Sequence, residues 1–540
     1  MIKGYWLPVL HCHLPFVKHP EYDYFLEEHW LFEALFETYL PLLMRLKRFE
    51  ADGVDFRLTV SLSPPLVEML VDEYLMGLFI RYMDRLTELS QKEMNRVKND
   101  SGMLNVAEFY NKRFIEIRTF FTGELNGNVL NGYKHFSDKG RLEIITCGAT
   151  HGFLPLLRAN PRAVEAQIAI ATQCHYEHFG KAAAGIWLPE CAYYEGLDEI
   201  LKKYGIKYFF LESHGVNNAV PKPKFSVYSA VNTLNGLAVF ARDPETSKQV
   251  WSSMSGYPGD PDYRDFYRDI GYDLEMDYIK PYVSPDGNRV FTGLKYYKIT
   301  GKTENKLPYD PVAAFNKTKI HAGHFCSSRY TQAEALSSAM DRPPLMVSPY
   351  DAELFGHWWF EGPDFLYHVL LKLQRDKIIK PVTPSEYLSY HPMNQTVAPS
   401  PSSWGENGYY EVWLNNDNGW IYRHLHFMAG AMEKIADEYY DMPDDAQETN
   451  ALNKRVLNQM VRELLLAQSS DWAFLITQAT ATEYSLKRTK EHISNFNALL
   501  GSFKSDTVNI DFLKWLEYKN SIFKNLDFRV FSGKNKLITD

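Results

Sequence analysis

Cysteine is scarce in this 540-residue sequence. There are five, at positions 12, 147, 174, 191 and 326. None forms a C-x-x-C pair, and an odd number cannot all be bridged. This fits free thiols in a reducing compartment rather than a disulfide framework. Long apolar runs are also missing. No stretch approaches the roughly 18 residues a membrane span needs. The start, "MIKGYWLPVLHCHLPF", runs into polar and charged residues before a signal peptide's apolar region can develop. A soluble, cytoplasmic protein without a membrane partner is expected, as a monomer or small homo-oligomer. Positive charge is in deficit: 58 Lys and Arg stand against 67 Asp and Glu, a net charge of −9. That argues against a nucleic-acid partner, whose binder usually carries a basic face. The expected substrate is neutral, or small enough not to need steering. No internal repeat, low-complexity tract or HExxH motif stands out.

Aromatic residues, at 15%, are plentiful instead. Trp and Tyr beyond the needs of a core suggest a surface that stacks on flat or amphipathic ligands, sugars among them; an aromatic core is the competing explanation. The length calls for two or three domains, or one large barrel with additions. "YWLPVLHCHLPF" reads as a buried strand, "EEHWLFEALFETYLPLLMRLKRF" as an amphipathic helix, and "FRLTVSLSPPLVEML" as a second strand stopped by Pro64-Pro65. Strand, helix, strand is the signature of a parallel sheet. From about 75 to 135 the pattern is helical and charged without a strand, which reads as a helical insertion. Strand signals resume at 142–150, 182–190, 206–213, 237–243 and 342–353. Beyond about 400 the chain is loop-like, then helical. The expected architecture is α/β: a barrel over residues 1–400, interrupted by the insertion, and a C-terminal helical domain over 401–540.

In such barrels function sits where strands end. The strand ends here carry His11 and His13, then Thr150 and His151, then Glu190, then Asp351 with Glu353 and His357. Four ionisable clusters after four apolar runs point to one site assembled from distant sequence. Two chemistries compete for it. A His-x-His pair with a distal Asp and His has zinc-ligand character, although a histidine taken alone is more often a core or surface residue. Alternatively, two carboxylates cleave a glycosidic bond; in retaining enzymes they stand about 5–5.5 Å apart, one a nucleophile and one an acid/base. Glu190 and Asp351 are the candidates, each flanked by aromatics.

These stretches resemble glycoside hydrolase family 57, and within it the 1,4-α-glucan branching and amylase-like group. The motifs are His11-Cys-His-Leu-Pro15, Gly148-Ala-Thr-His-Gly-Phe-Leu-Pro155, Trp187-Leu-Pro-Glu190, Ser348-Pro-Tyr-Asp-Ala-Glu-Leu-Phe-Gly-His357 with Trp358-Trp359, and Ser403-Trp-Gly-Glu-Asn-Gly408 with Trp413. Gln468-Ser-Ser-Asp-Trp-Ala473 resembles the part of the family's helical domain that approaches the cleft. The resemblance implies an incomplete (β/α)7 barrel and a retaining mechanism that uses no metal or cofactor. It implies Glu190 as nucleophile and Asp351 as acid/base on α-1,4-glucan donor and acceptor chains. Transfer to a 6-hydroxyl would make branches, with some hydrolysis; an α-amylase or 4-α-glucanotransferase is the alternative. His11, His13 and His151 would bind sugar hydroxyls or orient the carboxylates, and His357 would support Asp351. Trp404 and Trp413 would stack on acceptor rings, Trp187 and Trp359 would line the substrate site, and Asp471 would meet an acceptor hydroxyl. A loop tyrosine that shields the intermediate is expected after the nucleophile strand, with Tyr228 and Tyr257 as candidates. Tyr272 stands where several relatives have Trp.

Overall fold

The computed structural model describes residues 2–252, 256–285, 287–303, 305–444 and 447–535. Strand β1 (Gly4–Cys12) is buried along almost its whole length, as a parallel strand covered on both faces must be. Helix α1 (Leu40–Ala51) leads to β2 (Leu58–Leu62). Beyond a short helix at Pro64–Leu70, three longer helices precede the next strand: α2 (Glu73–Arg96), α3 (Ser101–Thr119) and α4 (Leu130–Asp138). The first two start at aspartate caps. Asp72 accepts the Leu75 N–H and Asp100 that of Met103. These helices span the stretch where the sequence is helical and charged without a strand. Strand β3 (Leu142–Ile145), helix α5 (Pro161–Phe179), β4 (Gly185–Ile186), β5 (Tyr208–Leu211), β6 (Ala238–Ala241), α6 (Pro244–Trp251), α7 (Pro311–Ser337), β7 (Leu345–Asp351) and α8 (Gly362–Asp376) complete the α/β part.

The strands lie side by side in chain order. β1 is parallel to β2 on one side and to β7 on the other; β2 pairs with β3, β4 with β5, and β5 with β6. Two joints link the resulting sheets. Thr146 bridges to Ile186 between β3 and β4. Just past β6, the Asp243 N–H donates to the carbonyl of Val347 in β7, at 2.9 Å. Seven strands thus surround one interior, fewer than the eight of a full barrel. Leu7, Val9, Ile145, Cys147, Trp187, Phe210, Phe240, Leu345 and Val347 fill that interior. Because side chains alternate along a strand, the inward row Leu7–Val9 continues to His11, and Leu345–Val347 continues to Asp351. Register pairs His11 with both Ser61 and Asp351. Three strand ends therefore meet on one rim.

Shorter strands at Val231–Asn232, Ile379–Pro381 and Gln395–Thr396 extend the sheets; two or three residues carry no readable period. The C-terminal part is helical: α9 (Trp420–Glu438), α10 (Glu448–Ala467), α11 (Ser470–Gln478), α12 (Thr482–Lys504) and α13 (Ile510–Lys519). All five cysteines are free and buried. Among the described residues, no helix is long and apolar enough to cross a membrane.

Candidate active site

A cavity of about 700 Å³ opens on the rim where β1 and β7 end. Its walls bring together His11, His13, His151, Glu190, Asp351, Trp404, Trp413 and Asp471 from the sequence expectations. Four of the strand ends and two C-terminal segments therefore meet in one place.

Glu190 follows Pro189, and the chain turns sharply there. Glu190 (φ 61°) and Cys191 (φ 51°) both take left-handed backbone, as does His151 (φ 57°) across the cavity. Such conformations cost non-glycine residues about 1–3 kcal/mol each and persist where the surroundings enforce them. Here the Trp404 N–H donates to the Glu190 carbonyl at 3.0 Å. The Glu190 carboxylate is held at both oxygens: Trp404 Nε1–H donates to Oε2 at 2.8 Å, and the Ser470 hydroxyl to Oε1 at 2.9 Å. Burial pushes its pKa up to about 7, while these two donors pull it down by favouring the charged form.

Asp351 is built differently. Among the described residues no hydrogen-bond donor reaches its carboxyl. Burial, then the charges of Glu353 and Glu190, push its pKa from 3.8 up to about 8. Glu353 is itself raised by burial, against hydrogen bonds from the Tyr39 hydroxyl and the His13 N–H. Glu190 and Asp351 thus share the cavity, and the one with two donors ionises first. A nucleophile paired with a proton donor requires such a difference.

Three histidines stack beside them. His13 lies on His151 with ring centroids 3.8 Å apart, and His11 lies on Trp187 at 4.8 Å. His13 Nε2 contacts Asp471 at 3.0 Å, and its Nδ1 contacts Ser63 at 2.8 Å. Burial opposes charge on both partners, but the pairing wins: His13 is raised and Asp471 is drawn down to about 2. Among the described residues no carboxylate pairs with His11, and His151 Nδ1 lies 3.6 Å from Glu190 Oε1. Burial and the neighbouring imidazoles hold both well below the usual histidine range.

His13, His151 and Asp471 bring three donor atoms within 4.8 Å of one another, a spacing that can suit a metal, as do His11, Cys147 and His151. Both sets are already committed. The two nitrogens of every ring have hydrogen-bond partners within the cluster, and burial pushes the Cys147 thiol well up, towards its protonated form.

Three expected positions lie elsewhere. Trp187 is wholly buried beneath His11 and acts as its platform. Trp359 is 1% exposed and packs on Phe365 and Tyr263. Its neighbour Trp358, 55% exposed, is the one that faces the cavity. His357 Nδ1–H donates to the Glu37 carboxylate, at 2.7 Å, and not to Asp351. Glu37 also binds Arg264, at 2.8 Å, which with His357 overcomes burial and draws its carboxyl down to about 2. Trp413 reaches the cavity but is 1% exposed, its face covered by Phe153, so it backs the wall and leaves no face for a sugar. Neither candidate tyrosine lines the cavity. Tyr257 bonds to His324 and Tyr228 approaches Gln332. Tyr272 meets Phe291.

Some cavity residues escaped the sequence reading. Arg242 follows the β6 run directly, so the strand-end rule could have found it. It pairs with Glu212 at 3.1 Å, lies over the Trp404 ring, and lowers Asp351. Ser470 carries no charge to draw attention. Lys248, Trp251, Phe474 and Gln478 also line the cavity, and helical amphipathicity gave them no special mark.

The profile of the family described as Glycosyl hydrolase family 57 matches residues 9–327. The chain belongs to glycosyl hydrolase family 57. A second profile, "1,4-alpha-glucan branching enzyme, C-terminal", matches residues 424–531 of this family 57 chain. A 1,4-alpha-glucan branching enzyme of Thermococcus kodakarensis is 32% identical over 97% of the chain and 78% of its own length. A crystal structure described as a novel alpha-amylase from Thermotoga maritima superposes with a TM-score of 0.91 at 45% identity, covering 98% of this chain and 99% of that one. A branching enzyme of the same family from Pyrococcus horikoshii superposes with a TM-score of 0.88 at 34% identity, covering 99% and 97%.

Proposed function

We propose that this protein is a retaining α-glucan branching enzyme. Glu190 attacks the anomeric carbon of an α-1,4-linked glucan chain. The glycosidic C–O bond breaks, and the leaving oxygen takes the Asp351 proton. The 6-hydroxyl of an acceptor chain then attacks the same carbon. Its proton returns to Asp351, the bond to Glu190 breaks, and an α-1,6 branch results. The observation that carries this reading is the contrast between the two carboxyl groups: one cavity, two donors on Glu190, none on Asp351. His11, His13 and His151 order that pocket, and Trp404 fixes Glu190. In this reading residues 1–400 are the catalytic part, and 401–540 form a helical part that supplies the acceptor side through Trp404, Asp471, Phe474 and Gln478. No cofactor takes part, so full activity in EDTA is expected; a loss restored by zinc would overturn this point.

Hydrolysis is the second reading, favoured by the 45% identity to the Thermotoga maritima alpha-amylase. The first step is the same in both, and only the acceptor differs. Linear amylose separates them. A branching enzyme lowers iodine staining with few new reducing ends, and short chains come free only after debranching. A plain amylase raises reducing ends in step with lost staining and leaves nothing for the debranching enzyme. Branching with some hydrolysis is the expected result.

A further inference from the structure

The polar wall behind Glu190 holds more order than two carboxylates need. Its protons can be assigned one after another. Glu190 Oε1 lies 2.9 Å from Ser470 Oγ. An ionised carboxylate has no proton to give, so the hydroxyl donates. Ser470 Oγ also lies 2.8 Å from His151 Nδ1. The only serine proton is committed, so His151 carries its proton on Nδ1. Burial keeps that ring neutral, which leaves Nε2 bare. His11 Nε2 stands 3.1 Å from it and must donate. His11 is kept neutral by burial as well. Its bare Nδ1 therefore accepts the Ser61 hydroxyl, at 3.2 Å. With Glu190 ionised, one proton arrangement satisfies all four contacts.

We propose that Ser470 is a positioning residue for the nucleophile, the last member of an ordered chain from Ser61 through His11 and His151 that delivers a hydroxyl proton to Glu190 Oε1 and holds the carboxylate aimed. This rests on the reading of Glu190 as nucleophile. The backbone supports it. Ser470 lies 280 residues from Glu190 in sequence, yet its N–H donates to the His151 carbonyl at 3.0 Å, and Gly152 and Ser469 form an antiparallel bridge. Gln167 Nε2 ties the same loop to Gln468 at 2.9 Å. The C-terminal helices thus hold the nucleophile's hydrogen bond, and the barrel holds the tautomers behind it.

The charged and titratable groups that share the cavity with Glu190 are His11 from β1 and His13 just beyond it, His151 from the loop after β3, Arg242 after β6, Lys248 from α6, Asp351 from β7 and Glu353 just beyond it, Glu406, and Asp471 from α11. Ser470, like Trp404, is a contact to Glu190 that can be removed without changing charge. In Ser470→Ala, the charged form of Glu190 loses one donor. The acid limb of the kcat profile should rise by about one to two pH units and kcat should fall roughly 10- to 100-fold, with KM little changed. Ser470→Thr keeps a hydroxyl and should restore both. A folded Ser470→Ala protein with an unmoved acid limb overturns the proposal, even if kcat falls. Glu190→Gln is the control: if it stays active, the nucleophile assignment itself fails. Histidine-selective 15N NMR of the unaltered protein provides a readout that needs no variant. Nε2–H on His11 with Nδ1–H on His151 is expected, and the opposite tautomers overturn the chain.

Discussion

On one wall of the cavity, His11, His13, His151, Ser470 and Asp471 are buried or nearly so, and each ring nitrogen and carboxylate has a hydrogen-bond partner. On the other wall, Trp251 is 41%, Trp358 55% and Phe474 39% exposed, with Lys248 and Gln478 beside them. The closed wall is rigid polar machinery, where an unpaired group would be expensive and every pairing fixes an angle. The open wall offers flat apolar faces that suit a sugar ring without fixing its position. Bond cleavage needs the first kind of surface. Choosing between water and a second glucan chain needs the second kind.

The sharpest way to break the comparison lies on the closed wall. If Glu190 is the nucleophile as proposed, Glu190→Gln should lower kcat by roughly 10⁴-fold or more on any glucan. Asp351→Asn should lower it by about 10²–10⁴-fold. With Glu190 at about 7 and Asp351 at about 8, the unaltered enzyme should have a narrow optimum between those limbs. Activity falls below it as Glu190 takes up a proton, and above it as Asp351 loses one. Asp351→Asn should abolish the alkaline limb; a pH profile of the variant that keeps it would assign that limb elsewhere.

A smaller effect, on stability, tests whether the wall is as tightly paired as its geometry implies. Asp471 is drawn from 3.8 down to about 2 in the folded protein. A depressed carboxylate stabilises the fold above its unfolded pKa, and this is lost as pH falls through about 2. His13 is raised, so its share is complete below 6.5 and lost as pH rises through the folded value. Asp471→Asn should therefore be less stable by about 2 kcal/mol near pH 5, with the difference shrinking towards pH 2. Denaturant melts across that range measure it, and a difference independent of pH would mean the pair contributes little.

The two walls were not equally legible in the sequence. The closed wall is assembled from strand ends, where an apolar run stops at an ionisable residue, so His11, His13, His151, Glu190 and Asp351 could be found by position. Seven of the strands were marked by the same runs. The proton order could not be read, because it depends on Ser61 and Ser470, common residues whose meaning comes only from what they touch. The open wall was read poorly. Within the pair Trp358-Trp359 the sequence cannot say which ring turns outward. Packing decides: Trp359 fills the space against Phe365, and Trp358 remains on Phe266 at 4.6 Å, facing the cavity. His357 was assigned to Asp351 because six residues separate them. The chain instead carries it to Glu37, a helical residue over 300 positions away that no spacing rule connects.

The smallest expected effect is the most direct test of the open wall. If Trp358 holds an acceptor ring, Trp358→Ala should leave the first chemical step nearly untouched, because no atom of Trp358 supports Glu190 or Asp351. An aromatic contact is worth about 0.5–1.5 kcal/mol beyond its area, which is roughly a two- to tenfold change in the ratio of branches formed to reducing ends released. The ratio should fall while total bond cleavage stays within about threefold. Trp251→Ala should act in the same direction if both rings grip one chain, and the double variant then loses less than the product of the two. Equal loss of branching and hydrolysis would place Trp358 on the donor side, and the open wall would belong to the chain being cut.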